Sequence, residues 1–156
     1  MESLTNYLSS NISDPMRKDH IFVIIKPGFY NLSSELFKIF TDHGYKIIKS
    51  KTKRLTLEEA KSLYKVHNKE DFYNDLCKYM SSDLTMAFIL KKKSDNIFKE
   101  FAKLKDEIRE NYGESDMRNV LHSSDSYKNF THESQIYFYN VNQDDLDDLT
   151  DKKSRK

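Results

Sequence analysis

Residues 20–26 read His-Ile-Phe-Val-Ile-Ile-Lys, an unbroken apolar run stopped by Pro27-Gly28. A run this short and this apolar fits a strand covered on both faces, since a strand with one wet face would alternate. Leu84 to Leu90 (LTMAFIL) has the same character. Tyr45 to Lys53 (YKIIKSKTK) reads as a strand that turns polar on one side toward its end, and Gln135 to Tyr139 (QIYFY) as a fourth strand.

Between these runs the apolar period changes to that of a helix. Leu32, Leu36, Ile39 and Phe40 share one face, and Gly44 stands where a left-handed helix stop belongs. Thr56-Leu57-Glu58-Glu59 fits a capping box, opening a helix that turns Leu57, Ala60, Leu63 and Tyr64 inward. A short helix over 71–81 places Phe72, Leu76 and Tyr79 or Met80 on one side. Ser94 is the expected cap of a longer helix carrying Ile97, Phe101, Leu104 and Ile108. The resulting order, β-α-β-(αα)-β-α-(loop, α)-β with right-handed crossovers, predicts an α+β, ferredoxin-like domain: a four-stranded antiparallel sheet covered by helices.

At 156 residues the chain holds one domain. Residues 1–19 are expected to be a flexible N-terminal arm, 20–140 the folded domain and 141–156 a charged tail. Ten Phe and ten Tyr can fill a core without Trp. A net charge of +1 lacks the basic excess of most nucleic-acid binders, and the run Lys91-Lys92-Lys93 reads as a solvated turn. Cys77, the single cysteine, rules out an internal disulfide and a cysteine-based metal site. No apolar run approaches the ~20 residues of a membrane helix, and the N-terminus lacks the apolar centre of a secretory signal, so a cytoplasmic protein is expected.

The chemistry concentrates in Arg118-Asn119-Val120-Leu121-His122-Ser123-Ser124-Asp125-Ser126, a polar stretch around one histidine. It resembles the active-site signature of nucleoside diphosphate kinases: Asn three residues before the catalytic His, then a small residue and Ser-Asp-Ser. Ser123 stands where Gly or Ala is usual. Further matches follow in order across residues 20–139. Lys26 in Ile25-Lys26-Pro27 corresponds to a phosphate-contacting lysine. Tyr64, Phe72 and Leu76 correspond to a helical pair that flanks phosphates and base. Arg109 corresponds to an arginine facing the phosphates, and Glu133 to the carboxylate that orients the imidazole. The resemblance implies catalytic roles for His122, Glu133, Lys26, Asn119 and Ser124. It implies nucleotide binding by Lys26, Tyr64, Phe72, Leu76, Arg109 and Asn119.

These residue types suit phosphoryl transfer. An imidazole with a pKa of ~6.5 is largely unprotonated near neutrality and can attack phosphorus if its other nitrogen is held as N–H. Cations offset charge on the transferring oxygens, and Mg²⁺ held by the nucleotide phosphates, not by protein side chains, completes the set the resemblance implies. Three glycines leave no room for a Gly-rich phosphate loop. Phe72 would stack on a base without reading its edges. Taken singly, Tyr64, Phe72 and Leu76 at helical spacing are equally good core residues. His20, His43, His67 and His132 read as structural or solvent-exposed.

The chain departs from the family pattern in two places. Gly28-Phe29-Tyr30-Asn31 replaces a longer loop after Lys26-Pro27. The stretch Phe101 to Arg109 (FAKLKDEIR) is several residues short: a phosphate-binding threonine is missing, and an expected arginine aligns near Ala102, leaving Lys103 or Lys105 to supply charge. That loop also builds the family's trimer contacts, so the resemblance implies a homo-oligomer of at least a dimer without fixing a hexamer.

The expected function is transfer of the γ-phosphate of a nucleoside triphosphate to a diphosphate through a phosphohistidine at His122, with ping-pong kinetics. The alternative is a weak or inactive nucleotide-binding or assembly module on the same fold. An RNA-binding ferredoxin-like domain using Tyr137-Phe138-Tyr139 lacks the Gly-aromatic pattern and the basic excess.

Overall fold

A computed structural model describes residues 19–138; the expected tail over 141–156 and all but the last residue of the expected arm over 1–19 lie outside the described residues. Strand β1 (His20–Ile25) sends Phe22 and Ile24 to one side of the sheet and Ile21, Val23 and Ile25 to the other, all fully buried. This two-sided burial is why the run contains no polar alternation. It pairs antiparallel with β3 (Thr85–Lys91) and with β4 (Leu121–Ser123), while β2 (Lys46–Lys53) pairs antiparallel with β3. The sheet order is β2-β3-β1-β4, the antiparallel ferredoxin-like arrangement.

Helices α1 (Ser33–Asp42) and α4 (Ile97–Tyr112) cover one face, where Leu36, Phe40, Phe101, Leu104 and Ile108 meet Ile21, Val23 and Ile25. Helices α2 (Leu57–Leu63), α3 (Tyr73–Met80) and α5 (Tyr127–Phe138) cover the other, gathering Ala60, Leu63, Leu76, Met80, Phe130 and Tyr137 around Phe22 and Ile24. The capping box of α2 is present in full: Glu59 N–H donates to Thr56 Oγ1, and Thr56 N–H to the Glu59 carboxylate. Gly44, at φ 87°, ends α1 in the left-handed region.

Three expectations need correction, the first being Leu57: at the first position of α2 it is 40% exposed and does not turn inward. Residues 135–138 are not a strand but the last turn of α5, and Tyr139 lies outside the described residues. Aromatic and β-branched residues favour strands locally. Here Phe130, Glu133, Ser134 and Tyr137, spaced by three and four, bury one helix face, and Tyr137 Oη meets Thr85 Oγ1 at 2.5 Å. The fourth strand is Leu121–Ser123 instead, three residues that hold His122. The cap of α4 is Asn96, whose Oδ1 accepts from the N–H of Phe98 and Lys99. Ser94 lies two residues earlier and braces the turn by accepting from Asn96 N–H and donating to Glu100. Among the described residues no helix is long and apolar enough to cross a membrane.

Candidate functional site

β4 is an edge strand, so a residue in its middle can be fixed by the sheet and still reach open space. His122 lies opposite Ile24 and therefore points to the α2-α3-α5 side. The N–H of Lys26 bonds Val120 O at 2.8 Å, and Ser124 N–H bonds Phe22 O at 2.9 Å, which pins both ends of the strand to β1. Ser124 Oγ is also committed there: it accepts from Phe22 N–H at 3.0 Å. Its hydroxyl therefore serves the backbone and is fully buried.

The imidazole of His122 is held from α5. Its Nε2 lies 2.8 Å from Glu133 Oε1, with the carboxylate almost buried. A carboxylate only accepts, so Nε2 carries the hydrogen, and in the neutral ring Nδ1 keeps its lone pair. Nδ1 has no hydrogen-bond partner among the described residues and is not one of the buried unpartnered atoms, so it opens to solvent. Tyr64, at the end of α2, sets its ring edge-on to the imidazole at 5.4 Å between centroids. Its hydroxyl is buried without a hydrogen-bond partner, and burial first, then Glu133, pushes its pKa far up, so it is a neutral donor awaiting an acceptor.

Val120 approaches this strand in strain. It is fully buried and has φ 79°, a region β-branched residues rarely enter. The surrounding bonds enforce it: Val120 O accepts from Lys26, and Leu121 N–H reaches back to Asn119 O. No signal in the sequence marks this strain.

Lys26 closes the site from the β1 end. Only 5% exposed, its Nζ donates to Asn119 Oδ1 at 2.7 Å and to Met117 O at 3.3 Å. Burial, then the positive charges of Arg109 and Lys105, pull its pKa from 10.5 down to about 7. Arg109 of α4 donates from Nη2 to Leu121 O at 2.8 Å, beside His122, while its Nε is buried and unpartnered. Behind Lys26, Tyr79 donates to Pro27 O, and the Arg118 guanidinium packs over the rings of Phe29 and Tyr79. Gly28, at φ 89°, leaves room for that guanidinium: a Cβ would sit 2.6 Å from Arg118 Nη2. The sequence shows this clamp only as scattered aromatics and one arginine.

The structure thus gathers His122, Glu133, Tyr64, Lys26, Asn119 and Arg109. Phe72 stands 44% exposed just before α3, with His67 5.5 Å from its ring, as a free apolar surface near Tyr64. Leu76 is 7% exposed and packs with Tyr64 and Met80 in the core, so it presents little to a ligand. The other histidines are occupied elsewhere: His43 with Ile39 O, His132 with Ser62 O, His20 near the ring of Phe130.

A buried cluster of cations around an oriented, accessible imidazole can receive an anionic electrophile. Comparison with known proteins agrees in kind. Residues 19–142 match the family model described as nucleoside diphosphate kinase. The chain is 34% identical over 130 residues to a nucleoside diphosphate kinase of Fervidobacterium nodosum and 30% identical over 130 residues to one of Thermoplasma volcanium. Each alignment spans 77% of this chain and 88% of the relative. A crystal structure of the Aquifex aeolicus nucleoside diphosphate kinase superposes with a TM-score of 0.70 at 25% identity, over 76% of this chain and 93% of that one. The chain belongs to the nucleoside diphosphate kinase family, and is a phosphotransferase of that kind.

Proposed function

We propose that the protein moves the γ-phosphoryl group of a nucleoside triphosphate to a nucleoside diphosphate through a phosphohistidine on Nδ1 of His122. The observation that carries this reading is the 2.8 Å bond between His122 Nε2 and Glu133, which leaves the other nitrogen accessible and nucleophilic. In the first half-reaction Nδ1 attacks the γ-phosphorus. The P–N bond forms as the bond to the bridging oxygen breaks, and the departing diphosphate keeps the electron pair. The imidazole becomes cationic, and Glu133 stabilises that charge through the retained N–H. The second half-reaction reverses the first with a different diphosphate.

Lys26 and Arg109 offset charge on the transferring oxygens, and Asn119 positions the Lys26 ammonium. Tyr64 offers its unpartnered hydroxyl to a phosphate oxygen, and Phe72 offers a stacking face to the base. Ser124 acts through the backbone by fixing β4, and Leu76 by supporting Tyr64. Among the described residues no three His, Cys, Asp or Glu gather where they could hold a metal ion, whereas the cations suit a substrate whose Mg²⁺ rides on its phosphates. When bound, that ion supplies neutralisation of the phosphate charge. A cytoplasmic location and a homo-oligomer of at least two copies belong to the same proposal.

Initial rates with ATP and a second nucleoside diphosphate test it. Parallel double-reciprocal lines support two half-reactions at one site, and absence of triphosphate formation leaves the non-catalytic binding module.

A further inference from the structure

Helix α4 divides into three stripes. Phe101, Leu104 and Ile108 are buried in the core; Lys103, Asp106, Glu107 and Glu110 are exposed; Ala102, Lys105 and Arg109 lie half-buried between them. Lys105 and Arg109 are four residues apart and so neighbours on one side of the helix, about 6 Å along its axis. That side packs against β4, where Arg109 bonds the carbonyl of Leu121, next to His122. The two lysines that sequence alone leaves equivalent are thereby separated. Lys103 lines a surface recess with Tyr45, Lys92 and Glu107 on another side of the helix, away from the imidazole.

Lys105 has no hydrogen bond and no ion pair among the described residues, although it is largely withdrawn from water. Of the carboxylates near it, Glu133 is engaged with His122 and Asp125 with the Asn129 side-chain amide at 2.6 Å, which leaves Asp106, exposed at the next helix position. Three cations, Lys26, Lys105 and Arg109, therefore crowd one site without an equal number of free anions. Gathering like charges out of water is unfavourable unless a polyanion later joins them.

We propose that Lys105 is a phosphate-binding residue, which with Arg109 and Lys26 holds the phosphate chain of the nucleotide against His122. The inference rests on the phosphotransfer reading above and adds a contact to it. Burial first, then Arg109, lowers the Lys105 pKa, as expected of a cation lacking its counter-ion, while Asp106, Asp125 and Glu133 act in the opposite direction.

The test measures Mg·ADP binding by titration calorimetry and ATP-driven phosphorylation of the protein, for wild type and three variants. Lys105→Met keeps the apolar stem without the charge; its ADP affinity should fall on the order of tenfold or more, as for loss of a charge-assisted hydrogen bond. Lys105→Arg should restore affinity to within a few fold, and Lys103→Met should bind as wild type. The melting temperature of Lys105→Met should not fall below that of wild type, whereas a merely structural role for Lys105 would lower it. Wild-type affinity in Lys105→Met, with wild-type phosphorylation intact, overturns this inference and leaves the kinase reading standing. A wild-type protein that neither binds ADP nor becomes phosphorylated overturns both.

Discussion

Lys26, at the end of β1, donates a 2.7 Å hydrogen bond to Asn119 in the loop before β4, from a position where its pKa is about 7. Burial and two neighbouring cations favour the neutral amine in the free protein, whereas polyphosphate favours the ammonium. Ligand binding should therefore take up a proton when the pH lies above 7 and little below it. In folding the same shift works the other way round. Below pH 7 both folded and unfolded forms hold the proton and the full cost is borne, and the cost fades as pH rises toward 10.5. Calorimetry of ADP binding at pH 8 and pH 6, in buffers of different ionisation enthalpy, should show uptake approaching one proton at the higher pH only. Equal uptake at both values would contradict the assignment.

Glu133→Gln should keep the fold and slow formation of the phosphoenzyme. The amide oxygen can still accept from Nε2, but it cannot balance the imidazolium charge that grows during attack. A loss on the order of 10²-fold in the single-turnover rate is expected, within the range for one positioned group. It should appear in kcat more than in KM, because Glu133 reaches the nucleotide only through His122.

Val120 makes an unusual prediction about glycine. At an ordinary strand position Ala is more stable than Gly by roughly 0.5–1 kcal/mol. Both Val120→Ala and Val120→Gly lose the buried side chain, but only Gly relieves the strain of φ 79°, a relief of about 1 kcal/mol or more. The Gly variant should therefore be at least as stable as the Ala variant in chemical denaturation. An Ala variant clearly more stable than Gly would mean that the strain is not present.

Ser124→Ala separates support from chemistry. It strips Phe22 N–H of its acceptor within the core, and an unsatisfied buried donor costs about 1–3 kcal/mol. Urea denaturation should show that loss, while phosphorylation of the folded fraction changes by much less than for Glu133→Gln.

The sequence was legible where the solvent boundary writes itself into the pattern. β1 and β3 are apolar because both faces are covered, and the α2 capping box is fixed by local geometry. The fourth strand was not legible, because a three-residue segment held at the sheet edge carries too few side chains to show a period. The aromatic end of α5 misled for the opposite reason: local preference for strand yielded to helical burial against β1. Offsets in sequence pointed to His122 and Glu133, but their meeting depends on α5 folding back onto the sheet. The distinction between Lys103 and Lys105 required knowing which side of α4 faces β4. The strain at Val120 and the packing of Arg118 over Gly28 come from chain closure and have no local signature.

The central claim is that His122 carries the phosphoryl group. Incubation with Mg²⁺ and γ-labelled ATP, followed by rapid quench, should give an acid-labile, alkali-stable phosphoenzyme approaching one label per chain, discharged within a turnover by a second nucleoside diphosphate. His122→Ala should fold normally and take up none. Label in that variant, or label on the wild type that no diphosphate removes, would contradict the account.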